Sequence, residues 1–239
     1  MSVFPLEQAH WPPGTPLSII IPVLNEAEAL PAILAALQPL RAQGAEVIVV
    51  DGGSHDDTPT LAEPLADHVL TSAPGRARQM NAGATRARAE ALLFLHADTR
   101  LPPDALGLIT QALVRRSWGR FDIHLDGKSR WLVLISAMIN LRSRLSGIAT
   151  GDQALFMRRD AFDAVGGLPE QPLMEDIEIT KRLKRLARPA CLRAKVVSSG
   201  RRWDQRGAWR TILLMWRLRY RYWRGVNTEE LAKAYRHVR

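Results

Sequence analysis

The sequence predicts an α/β domain with a mostly parallel central sheet flanked by helices. Three observations predict it. Short β-branched and aliphatic runs alternate with segments of helical period across residues 17–115. Polar residues gather just after those runs, at Asn25 and Glu26, at 51–57 and at 96–99. The chain of 239 residues is 46% hydrophobic and has no low-complexity tract or repeat, so it can bury one large core.

Leu17–Val23 (LSIIIPV), bounded by Pro16 and Asn25, reads as a buried parallel strand. Residues 26–40 follow with Leu30, Ile33, Leu34 and Leu37 at helical spacing, and Gly44 closes the unit. Residues 46–50 (EVIVV) are a second strand, ending in the turn that starts with Asp51 and two glycines. A short helix over 58–65, a strand over His68–Thr71 and a Gly-led helix over 75–88 come next. Residues 91–95 (ALLFL) are another strand, and 102–115 a helix with prolines in its first turn.

The second half is less regular. It predicts strands over 118–125, 153–157 and 192–198, and helices over 131–145, 159–165, 174–186, 207–224 and 228–237. In open α/β sheets, ligands sit at the carboxyl ends of strands. The polar clusters of this chain fall at those ends, which is the main physical argument for a site.

Each cluster has a functional and a bland reading. Asp51-Gly52-Gly53 can turn sharply toward a ligand, with Asp51 accepting from a base or ribose, or it can simply organise a strand-to-helix turn. Asp98, two residues after His96, can hold a divalent cation that bridges a diphosphate, or it can cap the following helix. Gly75-Arg-Ala-Arg opens a helix with two cations, which suits an anion or a solvated face. Glu175, Asp176 and Glu178 suit a helix N-terminus, and one of them can also serve as a base.

Charge is divided unevenly. Residues 181–239 carry 18 Lys/Arg against 3 Asp/Glu, a net of +15, and the first 180 residues carry −6, giving +9 for the chain. Trp209, Leu213, Trp216, Tyr220 and Trp223 fall near one face of the 207–224 helix, and Arg210, Arg217, Arg221 and Arg224 on another. This is either an interfacial helix on acidic lipid or an amphipathic helix packed on the domain with solvated arginines. The single Cys191 excludes an intrachain disulfide. Residues 1–14 have no leader pattern, and no apolar run is long enough to span a bilayer. A cytoplasmic protein is expected, peripheral to the inner face of the membrane if the helix meets lipid.

SIIIPVLNE, VIVVDGGSHDDT, GRARQMNAG, LFLHADT and the GDQALFMRRDAFDAVGGLPEQPLMEDIEI segment together resemble glycosyltransferase family 2, with its GT-A fold. The match covers about residues 17–186, and the order and spacing of the motifs make it specific. The wording is closest to a bacterial subgroup described as arsenosugar-biosynthesis or selenium-domain-associated transferases. The resemblance implies an inverting glycosyltransferase that uses a nucleotide-diphosphate sugar, UDP-linked by family habit, a divalent Mn or Mg ion and a small-molecule acceptor.

Carried over residue by residue, Pro22, Asn25, Glu26, Asp51, Gly53, Arg76, Arg78, Asn81, Ala97 and Asp98 would bind the donor. Asp98 would hold the metal with His96, which stands where the family's first Asp of Asp-x-Asp belongs. Asp176 would be the general base with Glu175 beside it, and Gly151, Asp152 and Gln153 would face the acceptor. The implied division is a GT-A domain over 1–200, with its nucleotide half at 17–115 and acceptor half at 116–200. A basic, Trp-rich helical extension follows over 201–239.

Three alternatives stand beside this reading. The first is a membrane-surface transferase acting on a lipid-linked acceptor. The second is a nucleotidyltransferase, which would want a glycine and a base in the first turn where VLNEAEAL stands. The third is a nucleic-acid-binding protein, which the basic tail suggests and the acidic clusters of the first half oppose.

Overall fold

A computed structural model describes residues 17–236. The leader reading of the first residues and the end of the last predicted helix at His237 lie outside them.

The nucleotide half runs β1 (Leu17–Val23), α1 (Leu30–Ala42), β2 (Glu46–Asp51), α2 (Thr58–Ala62), β3 (His68–Thr71), α3 (Arg76–Arg86), β4 (Ala91–Phe94), β5 (Thr99–Arg100) and α4 (Ala105–Arg115). Then come β6 (Trp118–Asp126), α5 (Trp131–Ser146), a 3-10 turn at Gly151–Gln153, β7 (Leu155–Arg158), α6 (Arg159–Ala164), α7 (Glu175–Leu186) and β8 (Ala190–Ser199). The chain closes with α8 (Arg201–Arg206), α9 (Ala208–Trp223) and α10 (Thr228–Arg236).

All eight strands form one sheet in the order β3-β2-β1-β4-β7-β6-β8-β5. The first four pair in parallel, as the helical crossovers require. β7 joins antiparallel to β4 and β6, β8 returns parallel to β6, and β5 closes the edge antiparallel to β8.

Strand period 2 sorts the core into two layers. Ile19, Ile21, Val47, Val49 and Leu93 face α1, α4 and α5. Ile20, Ile48, Val50, Leu92 and Phe94 face α3, α6 and α7. A third apolar cluster joins Leu173, Met174 and Ile177 to Leu218, Leu231 and Ala232. It packs α9 and α10 against the start of α7, so the basic extension becomes part of the wall around the sheet's carboxyl edge.

Helix α5 is tied to β6 by polar bonds as well as packing. Asn140 accepts from the Ile123 N–H at 2.8 Å and donates to the Ile123 carbonyl at 2.9 Å, and Ser136 Oγ accepts from the Leu125 N–H at 2.9 Å.

Four predicted boundaries shift for local reasons. The first helix starts at Leu30 and not at 26, because the Glu26 carbonyl accepts from the N–H groups of Ala29 and Leu30 in a turn. The helix expected from 102 starts at Ala105, after the prolines. Gln153 was expected in a strand, but it closes the 3-10 turn, where its side chain completes a capping box with Thr150. The segment after 200 splits at Gly207, φ +82, into α8 and α9.

Candidate active site

The donor side is built where β1 and β2 end side by side. Asn25 adopts φ +54 and Gly53 φ +91, so both loops turn back over the sheet edge. The Asn25 N–H donates to Ser54 Oγ at 2.8 Å, and its side-chain oxygen accepts from the His55 N–H at 2.8 Å. The Glu26 N–H donates to Thr58 Oγ1 at 2.8 Å. Asp51 is buried and its Oδ2 accepts from the N–H groups of Gly53 and Ser54, each at 2.9 Å. Pro22 sits inside β1 opposite Val50. Gln79, which the motif reading passed over, donates to the carbonyls of Val23 at 2.7 Å and Val50 at 2.8 Å, pinning α3 to both strand ends.

Beside these loops lies a cavity of about 350 Å³. It gathers Arg76, His96, Asp98, Gly151, Asp152, Glu175 and Asp176 from segments spread over a hundred residues of chain. The remaining expected positions lie outside it. Arg78 pairs with Glu170 on the surface at 3.2 Å. Asn81 is taken up by the backbone of Leu168, accepting from its N–H at 3.0 Å and donating to its carbonyl at 2.9 Å. Ala97 is buried beneath the cavity wall, and Gln153 is buried with its amide 3.4 Å from the Phe121 carbonyl.

Helix α7 delivers the acidic pair. Met174 sits at φ +67 just before it, a turn that aims Glu175 and Asp176 at the cavity from the helix N-terminus. Asp176 Oδ2 accepts from the Gly151 N–H at 2.9 Å, so the base candidate and the acceptor-side turn are locked together. Glu175 is buried and lies 3.2 Å from Arg76. Burial pushes its carboxyl above the usual range even against Arg76, with the charge of Asp176 adding to the rise. Burial likewise pushes Asp152 up, helped by Asp176, and among the described residues Asp152 Oδ1 has no hydrogen-bond partner.

His96 and Asp98 face the same cavity, with Thr99 Oγ1 donating to Asp98 Oδ1 at 3.3 Å. Among the described residues no group of three His, Cys, Asp or Glu converges on a point. An imidazole and a carboxylate make a partial donor set. It suits a cation that takes its other ligands from diphosphate oxygens, as Mg²⁺ and Mn²⁺ do.

The opposite wall was not foreseen. Trp203 of α8, Met215 and Arg219 of α9 and Tyr235 of α10 line the cavity, so the extension closes the site. These residues come from three separate helices, and no local motif marks them.

A family model described as "Glycosyl transferase family 2" matches residues 18–166. The chain belongs to glycosyltransferase family 2. Membership decides for a glycosyltransferase over a nucleotidyltransferase.

One curated relative is an undecaprenyl-phosphate 4-deoxy-4-formamido-L-arabinose transferase of Pseudomonas fluorescens. It is 33% identical over 164 residues, covering 59% of this chain and 46% of the relative. The chain thus spans about half the length of such relatives.

Among solved structures, the fold is similar to glucosyl-3-phosphoglycerate synthase from Mycobacterium tuberculosis in complex with Mn²⁺, UDP and glucosyl-3-phosphoglycerate. The TM-score is 0.57 at 17% identity, covering 77% of this chain and 71% of that one. It is also similar to S. aureus TarS 1–349 in complex with UDP-GlcNAc, with a TM-score of 0.59 at 19% identity over 77% and 58% of the two chains. The GT-A fold of this family is therefore the fold of this chain.

Proposed function

We propose that this glycosyltransferase moves a sugar from a UDP-linked donor to an acceptor in one inverting displacement, with Asp176 as base. The observation that carries this is the single cavity in which Asp176, Asp152 and Glu175 face His96 and Asp98 beside the donor loops. Fold relatives that hold UDP or UDP-GlcNAc support the donor class.

The Asn25–Ser54–His55 loops and Asp51 form the donor's nucleotide end, and Arg76 offers a cation toward the diphosphate. Asp98 and His96 would hold the divalent ion, which when bound offsets charge on the departing diphosphate. Asp176 takes the proton of the attacking acceptor hydroxyl. Its oxygen bonds to the anomeric carbon from one side as the bond to the diphosphate breaks on the other, and the electron pair leaves with UDP. Gly151 holds Asp176 in place, and Arg76 holds Glu175 away from the transfer.

Asp176→Asn tests the assignment. General-base catalysis is worth about 10²–10⁴-fold. The variant is expected to lose that much kcat for UDP release while its affinity for UDP is unchanged. Equal turnover in both proteins would remove Asp176 from the mechanism.

A specific observation favours the membrane-surface form of this reading over a freely diffusing one. Trp209, Leu213, Trp216, Tyr220 and Trp223 are 58–73% exposed on α9, and α9 buries a different face through Leu214, Met215 and Leu218. Trp131, Val133, Leu134, Leu141 and Leu145 of α5 are exposed as well, and the Trp131 and Trp209 rings meet edge-on at 5.5 Å. Such a patch, flanked by exposed Arg210, Arg217 and Arg224, suits an anionic bilayer surface. No described helix is long and apolar enough to cross a membrane.

A further inference from the structure

A second cavity, of about 410 Å³, runs between α5 and α9. Ile135, Met138, Ile139, Ile212, Met215 and Trp216 make it an apolar groove. Two cations interrupt it: Arg142 from α5 and Arg219 from α9.

Those arginines are expensive to keep there. Among the described residues, Nε and Nη2 of Arg142 and Nε of Arg219 are buried without a hydrogen-bond partner. Buried guanidinium N–H groups left unpaired cost free energy, and two like charges that share a groove add repulsion. Burial pushes Arg142 down to about 10, and the charge of Arg219 is the next largest cause. The nearest compensation is Asp152 and Asp176, which attract Arg142 from the catalytic cavity without bonding it. A packing role alone would be served better by leucine or methionine. Converging, unpaired arginine donors are the arrangement that grips a phosphate.

The groove also leads somewhere. Ile139, Trp203, Met215 and Arg219 line both it and the catalytic cavity, so the two spaces share a wall. A ligand with its charged head between the arginines has that head beside Asp152 and Asp176. Its tail then lies along apolar side chains toward the exposed faces of α5 and α9.

We propose that the α5–α9 groove is the acceptor site and that it takes a long-chain phosphomonoester, with the phosphate between Arg142 and Arg219 and the chain along Ile135, Met138 and Ile212. This rests on the transferase reading and names the acceptor class for it. The exposed aromatic rows on the same two helices give such an amphiphile a route from a bilayer into the groove.

Isothermal titration of the full chain tests the proposal, with farnesyl phosphate below its aggregation limit as the probe. Farnesol and glycerol 3-phosphate are the two halves of its chemistry, and UDP with Mn²⁺ is titrated separately. Farnesyl phosphate is expected to bind at least tenfold more tightly than either half. Arg142→Gln and Arg219→Gln are each expected to cost at least tenfold for farnesyl phosphate, with Arg142→Lys recovering part of the loss. Arg142→Gln should bind UDP as the parent does, which also reports that it has folded.

Equal affinity for farnesyl phosphate and farnesol would overturn the phosphate site. Equal affinity for farnesyl phosphate and glycerol 3-phosphate would overturn the chain groove. Unchanged farnesyl phosphate binding in both glutamine variants would remove the arginines. A parent that binds farnesyl phosphate but not UDP would instead count against the transferase reading, and one that binds UDP but not farnesyl phosphate against the groove alone.

Discussion

A methyl group placed on Gly151 tests how tightly the two walls of the catalytic cavity are fitted. The Cβ of Gly151→Ala would stand 2.6 Å from His96 Nε2 and 3.0 Å from its Cε1. Carbon–nitrogen contacts settle near 3.5 Å, so the imidazole has to move by roughly 1 Å or the turn has to shift. Overpacking of this kind costs about 1–3 kcal/mol, and for a chain of this length each kcal/mol lowers Tm by about 2–4 °C. Both escapes disturb function, since the ring that moves is His96 and the turn that moves carries the N–H bonded to Asp176.

Gly44→Ala is the control. Its φ is +94, no atom lies within 4 Å of the added Cβ, and it pays only backbone strain of about 1 kcal/mol. Thermal unfolding should show both variants destabilised, whereas calorimetry should show weaker binding of UDP with Mn²⁺ only for Gly151→Ala. A Gly151→Ala protein that binds and turns over like the parent would refute the close fit of His96 against the acceptor-side turn.

Two further outcomes follow from charge and exposure. Asp152 has its carboxyl raised by burial and by Asp176, so the stability it contributes is complete below the ordinary carboxylate range, about pH 4, and is lost as pH rises through its folded value. Urea unfolding should therefore find Asp152→Asn equal to the parent in acid and more stable at neutral pH; parallel curves from pH 4 to 8 would contradict the burial argument. In flotation with phosphatidylglycerol vesicles the parent should rise at low salt and be released as salt is added, each arginine at the surface being worth about 1 kcal/mol. Trp209→Ala/Trp216→Ala/Trp223→Ala should stay below, and a parent that also stays below at low salt would end the membrane-surface reading.

Much of the nucleotide half could be read from the sequence because its signals are local. Leu17–Val23 and His68–Thr71 have the expected bounds, since a buried parallel strand is a continuous apolar run between turn residues. The strand-end clusters reach one sheet edge for the same reason. β5 was missed because two residues, Thr99 and Arg100, carry no period at all.

The aromatic row of α9 had two readings, and only tertiary context separates them. The helix buries Leu214, Met215 and Leu218 against Leu173 and Ile177 and leaves the tryptophans outside. Asn81 and Gln153 look like ligand contacts in the motif but spend their side chains on Leu168 and Thr150. Arg142, Arg219 and Tyr235 converge from three helices far apart in the chain, and convergence of that kind is written in the packing and not in any local pattern.

The central claim is that the loops at the sheet edge, with Asp98 and His96, bind a nucleotide sugar together with a divalent cation. A thermal-shift screen of UDP, GDP and dTDP sugars, each with Mn²⁺, Mg²⁺ or EDTA, tests it most directly. A ligand that binds only the folded chain adds about 2.7 kcal/mol at one hundred times its Kd. The account predicts stabilisation by a UDP-sugar with Mn²⁺ or Mg²⁺ that EDTA abolishes and Asp98→Ala removes. Failure of every sugar nucleotide to raise Tm with either metal would contradict it.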